Sequence, residues 1–358
     1  MDILSLQTKI KIDSDNWRTY NYLKLNYDSF LIYTTKDIII FYKNLSFKKL
    51  FLSNNNKEDN IKFIKNINNE KLLCLNNNKL YIFTIKSIIE NSKIIKFEDN
   101  QKVLDAIELK NGIILAITNS DILHIKINNN KEEIIKISKV PKECFINKLY
   151  DQEFDLLFNI YELPNNNILI SSESSGIYNK NHGCVRGQYP YYKEKQYIFN
   201  LDKCEIIHFL QKLEDESPFS SRSNCNKLKI IIYKEYICIS YKYGIYIYNI
   251  FDYNLIKQIN IHDFMFFNYD EKIFFIIKKK SYKNNEKIIL YDLTDLNNIK
   301  YQKIYFGKII SDKNYMYENI DIKKLSNGKM LVINKNNIFI IKFSKQFKLL
   351  PYKDFYYY

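Results

Sequence analysis

The chain has 358 residues, enough for one large all-β or α/β unit or for two to three ordinary domains. With 46% hydrophobic and 26% charged residues, and with 31 Tyr and 24 Phe against 7 Gly and 5 Pro, the composition is that of a packed globule and excludes a disordered or collagen-like chain. The net charge of +14 rests on 51 Lys and only three Arg (Arg18, Arg186, Arg222), beside 45 Asn. Lys, Asn, Ile, Tyr and Phe all have codons made of A and T alone, so an A+T-rich genome can raise the lysine count without selection for an anionic partner.

No apolar run approaches the ~18 residues that span a bilayer, and no transmembrane segment is expected. The opening MDILSLQTKIKIDSDNW lacks the apolar core of a signal peptide. The six cysteines (74, 144, 184, 204, 225 and 238) show no CxxC and no paired spacing. A reducing, cytoplasmic location is therefore expected, with neither a disulfide framework nor a zinc knuckle.

In chain order, the first predicted element is the strand LQTKIKI (6–12), followed by a strand-rich pattern that recurs about seven times. Units are expected over 17–52, 61–97, 102–138, 154–211, 226–260, 263–306 and 319–350, as one domain. The clearest is KVLDAIELKNGIILAITNSDILHIKINNNKEEIIKIS (102–138), four apolar runs broken by the turn formers Lys-Asn-Gly, Thr-Asn-Ser-Asp and Asn-Asn-Asn-Lys. The hairpin between second and third runs is visible elsewhere as FLIYTTKDIIIFY, YICISYKYGIYIYNI and MLVINKNNIFIIKF.

Several runs, such as KLYIFTI (79–85) and KIFFII (272–277), are apolar on both alternations. A sheet covered on one side only would alternate with polar residues, so both faces must be buried. Four-stranded sheets packed radially achieve this, each face covered by its neighbour. The expected fold is thus an all-β, seven-bladed β-propeller of four-stranded antiparallel blades, with six or eight blades as alternatives. The strand at 6–12 is expected to close the ring on the last unit, although Gln346 to Leu350 could take the same outer position.

Three successive units end their third run with an aromatic, then Asn or Asp, then an aliphatic: Phe199-Asn200-Leu201, Tyr248-Asn249-Ile250 and Tyr291-Asp292-Leu293. Phe158-Asn159-Ile160 is the same triplet out of register. Asp37 and Asp121 stand just before third runs. In these features the chain resembles the WD40-type β-propellers, whose third strand ends in Trp-Asp and whose turns carry an aspartate. It departs from them in having a single Trp, Trp17, no Trp-Asp pair and no Gly-His dipeptide. The resemblance implies a fold and no substrate.

Long insertions are expected as loops on one side of units four to seven, at 171–194, 213–226, 278–286 and 307–318. Together they suggest a recognition surface for a protein partner, anchored by Arg186, Tyr189, Tyr191, Tyr192 and Lys193. The alternative is an anionic phospholipid or nucleic acid held by Lys278, Lys279, Lys280 and Lys283, because residues 271–353 hold 18 Lys against 7 acidic residues. Opposite in sign, Glu143 to Glu162 carries five carboxylates, with Asp151, Glu153 and Asp155 alternating along it.

Catalysis is not expected. Of the four histidines, His124 and His208 fall inside predicted strands, and His182 with Cys184 lacks a companion pair of metal ligands. No GxSxG, Walker A or dinucleotide glycine pattern is present, so the expected role is a non-enzymatic scaffold without cofactor or metal. Gly183 to Gly187 contains one Arg, too few to match the doubled arginine of phosphoinositide-binding propellers.

Overall fold

The computed structural model describes residues 4–11, 21–24, 30–33, 38–41, 47–50, 61–68, 71–76, 79–84, 93–95, 97, 101–128, 131–141, 155–182, 185–210, 229–241, 244–260, 264–269, 272–279, 287–305, 320–324, 329–334, 337–343 and 350–351. Every regular element among them is a strand.

Strand β1 (Leu4–Lys11) opens the chain. Four strands then form the first sheet, β2 (Asn21–Lys24), β3 (Phe30–Tyr33), β4 (Ile38–Phe41) and β5 (Phe47–Leu50). The second sheet is β6 (Ile61–Asn68), β7 (Lys71–Asn76), β8 (Lys79–Thr84) and β9 (Lys93–Ile95). The third is β10 (Val103–Glu108), β11 (Ile114–Thr118), β12 (Asp121–Asn128) and β13 (Lys131–Lys139). The fourth is β14 (Asp155–Glu162), β15 (Ile168–His182), β16 (Val185–Asn200) and β17 (Glu205–Phe209). The fifth is β18 (Lys229–Tyr233), β19 (Tyr236–Tyr241), β20 (Gly244–Asn249) and β21 (Leu255–Asn260).

In the sixth sheet, β22 (Phe264–Tyr269), β23 (Lys272–Lys279), β24 (Lys287–Asp292) and β25 (Lys300–Tyr305) are joined by a fifth strand, β29 (Leu350–Pro351). The seventh combines β26 (Ile320–Lys324), β27 (Lys329–Asn334) and β28 (Asn337–Phe343) with β1, which lies antiparallel to β28 from Leu4↔Phe343 to Lys11↔Asn337. The two candidates for the outer place therefore do not compete. The amino-terminal strand takes it, and Leu350 and Pro351 pair on the neighbouring sheet, which departs from the four-stranded expectation, while residues 346–349 lie outside the described residues.

All strand pairings are antiparallel, and the first strands of successive sheets lie alongside one another: β2 with β6, β6 with β10, β10 with β14, β18 with β22 and β22 with β26. Side-chain alternation then explains the core. All five residues of β11 are buried. Ile114 and Ala116 pack with Leu73, Leu75 and Ile82 of the second sheet, whereas Leu115 and Ile117 pack with Ile168, Ile170 and Phe199 of the fourth. The fourth and fifth sheets are joined in the same way through Leu169, Ile198, Ile237, Ile239 and Tyr248, and the fifth and sixth through Ile245, Ile247, Tyr291 and Leu293.

The triplets read from the sequence fall at the ends of the third strands β16, β20 and β24. Phe199, Tyr248 and Tyr291 are buried between sheets. The polar residue then holds the turn to the fourth strand: Asn200 Oδ1 accepts from the Lys203 N–H at 2.8 Å, Asn249 Oδ1 from Phe251 N–H at 2.7 Å, and Asp292 Oδ1 from Thr294 N–H at 2.9 Å. Ile250 and Leu293 close the turn as buried residues. Phe158-Asn159-Ile160 lies inside the first strand β14.

One glycine is required by a close approach. A Cβ on Gly244, at the start of β20, would stand 2.6 Å from the carbonyl oxygen of Ile259 on β21. Gly244→Ala is expected to cost about 1–3 kcal/mol, because the obstructing atom is backbone and the strands must part. The urea midpoint of the variant checks this.

Candidate functional site

The insertion at 171–194, expected as a loop, is strand. β15 and β16 pair without a break from Ile168↔Phe199 to His182↔Val185. Among the described residues, β14 follows β15 as far as Asp155↔Ser175, and β17 meets β16 over Tyr197 to Asn200. Among the described residues the pair continues beyond Ser175↔Tyr192 as a two-stranded ribbon, Gly176–His182 against Val185–Tyr191. Seven residues per strand at ~3.3 Å each give a projection of roughly 23 Å. Turn residues had marked this segment as a loop, but Ile177, Tyr178, Val185, Tyr189 and Tyr191 supply strand formers on both arms.

The five expected anchors all lie on β16 and are spread along it. Arg186 pairs with Asn181 near the tip, Tyr189 with Tyr178 midway and Tyr191 with Gly176 at the root. Tyr192 and Lys193 pair with Ser175 and Ser174 in the body of the sheet. Pro190, opposite Ile177, has no N–H to offer along an edge that β17 does not cover, which blunts the ribbon against indiscriminate pairing. The ribbon from 176 to 191 contains Lys180 and Arg186 and no carboxylate.

Of the alternative anion site, Lys278 and Lys279 lie at the end of β23, opposite Ile288 and Lys287. Lys280, Lys283 and the expected loops 213–226 and 307–318 lie outside the described residues, as do Asp37, Asp151, Glu153 and Cys184.

A polar arrangement that the sequence did not disclose sits on the first strands. Asp105 of β10 is buried, and its carboxylate receives Lys65 Nζ of β6 at 2.6 and 2.7 Å and the Ile160 N–H of β14 at 2.8 Å. One side chain thus ties three consecutive sheets. Burial pushes the Asp105 carboxyl above its usual range against the opposing pull of Lys65 and of the Ile160 and Ala106 amides. Every partner is a donor already engaged, so the group is a structural tie. The only signal for it was an Asp among apolar residues in a first run.

Two further ties use lysines. Lys136 Nζ of β13 donates to the Leu201 carbonyl at 2.9 Å in the fourth sheet, and Lys257 Nζ of β21 donates to the Leu296 carbonyl at 2.8 Å in the sixth. Part of the lysine excess therefore bonds sheet to sheet. Asp121, at the start of β12, receives Lys139 Nζ at 2.6 Å and the Ser120 hydroxyl, and these hold its carboxyl below the usual range.

On the side of the first-to-second and third-to-fourth turns, the Tyr253 hydroxyl accepts from Asn165 Nδ2 at 2.8 Å and Asn167 Nδ2 at 2.6 Å. His208 lies against the Tyr253 ring with centroids 5.4 Å apart. His124 is buried, and burial together with Lys136 lowers its pKa and keeps it neutral. Cys74 and Cys238 are buried free thiols, each pushed up to about 12 by burial, and are inert as nucleophiles. Among the described residues no three His, Cys, Asp or Glu side chains gather as a metal site, and no helix is long and apolar enough to cross a membrane.

No family model and no curated protein matches the sequence. Among solved structures, the chain is similar to virginiamycin B lyase from Staphylococcus aureus, with 12% identity and a TM-score of 0.55 over 95% of this chain and 99% of that one. It is similar to BBS1N in complex with ARL6DN, with 10% identity and a TM-score of 0.50 over 96% and 98%. A third similarity, to S. cerevisiae core factor, has 9% identity and a TM-score of 0.53, over 95% of this chain and 60% of that one. At these identities a likeness speaks for architecture alone, whether the neighbour is an enzyme or a component of a complex. The sheet order, the neighbouring first strands and these similarities identify the fold as a β-propeller.

Proposed function

We propose that this chain is a non-enzymatic protein-interaction scaffold, a single seven-bladed propeller of the WD40 kind whose blades are the units 17–52, 61–97, 102–138, 154–211, 226–260, 263–306 and 319–350. The single observation that carries the reading is the β15–β16 ribbon. A two-stranded ribbon in water is marginal by itself, and a partner that covers it adds backbone pairing and contact with aromatic residues. Arg186, Tyr189, Tyr191, Tyr192 and Lys193 are the anchors of that contact. That BBS1N was solved in complex with ARL6DN supports the reading by analogy of fold.

The test is a full-length chain in which Gly176 to Tyr191 is replaced by Asn-Gly, joining the Ser175↔Tyr192 pair through a tight turn. Affinity purification from the native cell is expected to lose the partners that the intact chain retains. Tyr189→Ala with Tyr191→Ala is expected to weaken the same contact by about thirtyfold or more, the loss of one strong anchor. Retention of every partner by the shortened variant removes the ribbon from the function.

A second reading is favoured by one specific observation, Lys279 standing directly opposite Lys287 on β23 and β24. Like charges in that position repel unless an anion lies between them. An anionic phospholipid or nucleic acid at Lys278, Lys279, Lys280 and Lys283 is the corresponding ligand, and its binding would fall steeply with salt.

A further inference from the structure

The fourth strand of each propeller sheet forms the rim and presents a row of backbone groups that must be kept from pairing with another chain. Among the described residues these rims are protected in different ways. β5 and β9 are short, with four and three residues. β13, β17 and β21 each carry a bulge that leaves one isoleucine unpaired: Ile135, Ile207 and Ile256. β1 has the same device at Gln7. A bulge bends and twists an edge away from any straight partner.

β25 has none of these protections. Its six residues pair with β24 in unbroken register from Asp292↔Lys300 to Lys287↔Tyr305. It is also the rim that accepts an added strand, β29, through two pairs, Lys300↔Pro351 and Tyr301↔Leu350. Pro351 has no N–H, so Tyr301 and Leu350 are the hydrogen-bonded pair and Lys300 and Pro351 the non-bonded one. By alternation the backbone groups of Lys303 and Tyr305 face outward like those of Tyr301. Residues 344–349, which lead into β29, lie outside the described residues.

We propose that the β25 rim is a strand-addition site for an extended acidic segment of a protein partner, with β29 as the chain's own exchangeable occupant. Backbone pairing supplies the affinity in such a mode, and alternate side chains supply the selectivity. The choice of an acidic segment follows from charge. Lys300 is exposed, Lys303 lies on the same strand, and residues 271–353 carry 18 Lys against 7 acidic residues. The site is independent of the ribbon.

The probe is a fluorescein-labelled peptide of alternating Glu and Val, titrated into the full-length chain at low salt and followed by anisotropy. Leu350→Pro removes the donor of the bonded pair described for β29 and is expected to raise peptide affinity at least fivefold by loosening β29 from the rim. Lys303→Pro removes an outward donor of β25, a change an edge strand tolerates, and is expected to lower affinity at least tenfold. Replacing Glu by Lys in the peptide is expected to abolish binding, and the chain lacking its ribbon is expected to bind as the intact chain does. Unchanged affinity in Leu350→Pro or Lys303→Pro, equal binding of the Lys peptide, or self-association of Leu350→Pro in place of peptide binding would overturn the proposal. Loss of partners on ribbon removal with peptide binding intact, or the reverse, separates the two sites.

Discussion

Asp105→Ala is expected to destabilise the protein by about 3 kcal/mol in urea denaturation at neutral pH, the lower end for breaking a buried ion pair. The low end applies because Lys65 is 27% exposed and can turn part of its ammonium to water, whereas the Asp105 side chain is 3% exposed. Loss of the carboxylate also leaves the Ile160 N–H without this acceptor, on a strand of the next sheet. Asp105→Asn is expected to cost less, because its amide oxygen can still accept from Ile160. The pH dependence has a definite sign. The folded-state value of Asp105 is raised, so the protonation-linked part of its contribution is fully present below the ordinary Asp value and is lost as pH rises through the raised one, while the bonds to Lys65 and Ile160 that Asp105→Ala removes are a separate loss. The stability of the wild type relative to Asp105→Asn is therefore expected to increase on acidification, and a constant difference would show that Asp105 does not titrate as its burial requires.

That tie marks the boundary of what could be read from the chain. Apolar character on both alternations is a local property, and it identified the double-faced sheets because burial on two sides favours apolar residues at successive positions, as in Ile114 to Ile117. The triplets ending β16, β20 and β24 were legible for the same reason: an aromatic for the inter-sheet space, an acceptor for the turn and an aliphatic to close it are chemically distinct and adjacent. Asp105 was not legible, because its partners stand 40 and 55 residues away and meet it only after three sheets have packed. The ribbon was missed for a different reason. Gly176, Asn179 and Asn181 are turn formers by composition, yet backbone pairing extends through them once the body of β15 and β16 fixes the register. The bulges at Ile135, Ile207 and Ile256 left no mark in the sequence, since an extra isoleucine in an isoleucine-rich strand looks like its neighbours.

The triplet also makes a quantitative demand. Phe199 is fully buried among Leu115, Ile117, Ile168 and Ile170, with contacts to both the third and fourth sheets. Phe199→Ala is expected to cost about 3–4 kcal/mol, since the residues around it belong to two sheets whose backbones cannot collapse into the space. Asn200→Ala is a different kind of loss. It removes the acceptor for the Lys203 N–H and the donor to Asn167 Oδ1 at 3.0 Å, both near the surface, and about 1 kcal/mol is expected. Asn200→Asp keeps the first bond and forfeits the second, so its cost should lie between zero and that of alanine. The ordering Phe199→Ala, Asn200→Ala, Asn200→Asp in urea midpoints is the signature of a triplet whose aromatic fills the space between blades and whose polar residue only shapes the turn. An Asn200→Ala variant as damaged as Phe199→Ala would instead place the main bond between blades in the hydrogen-bonded turns, through Asn167 and Tyr253.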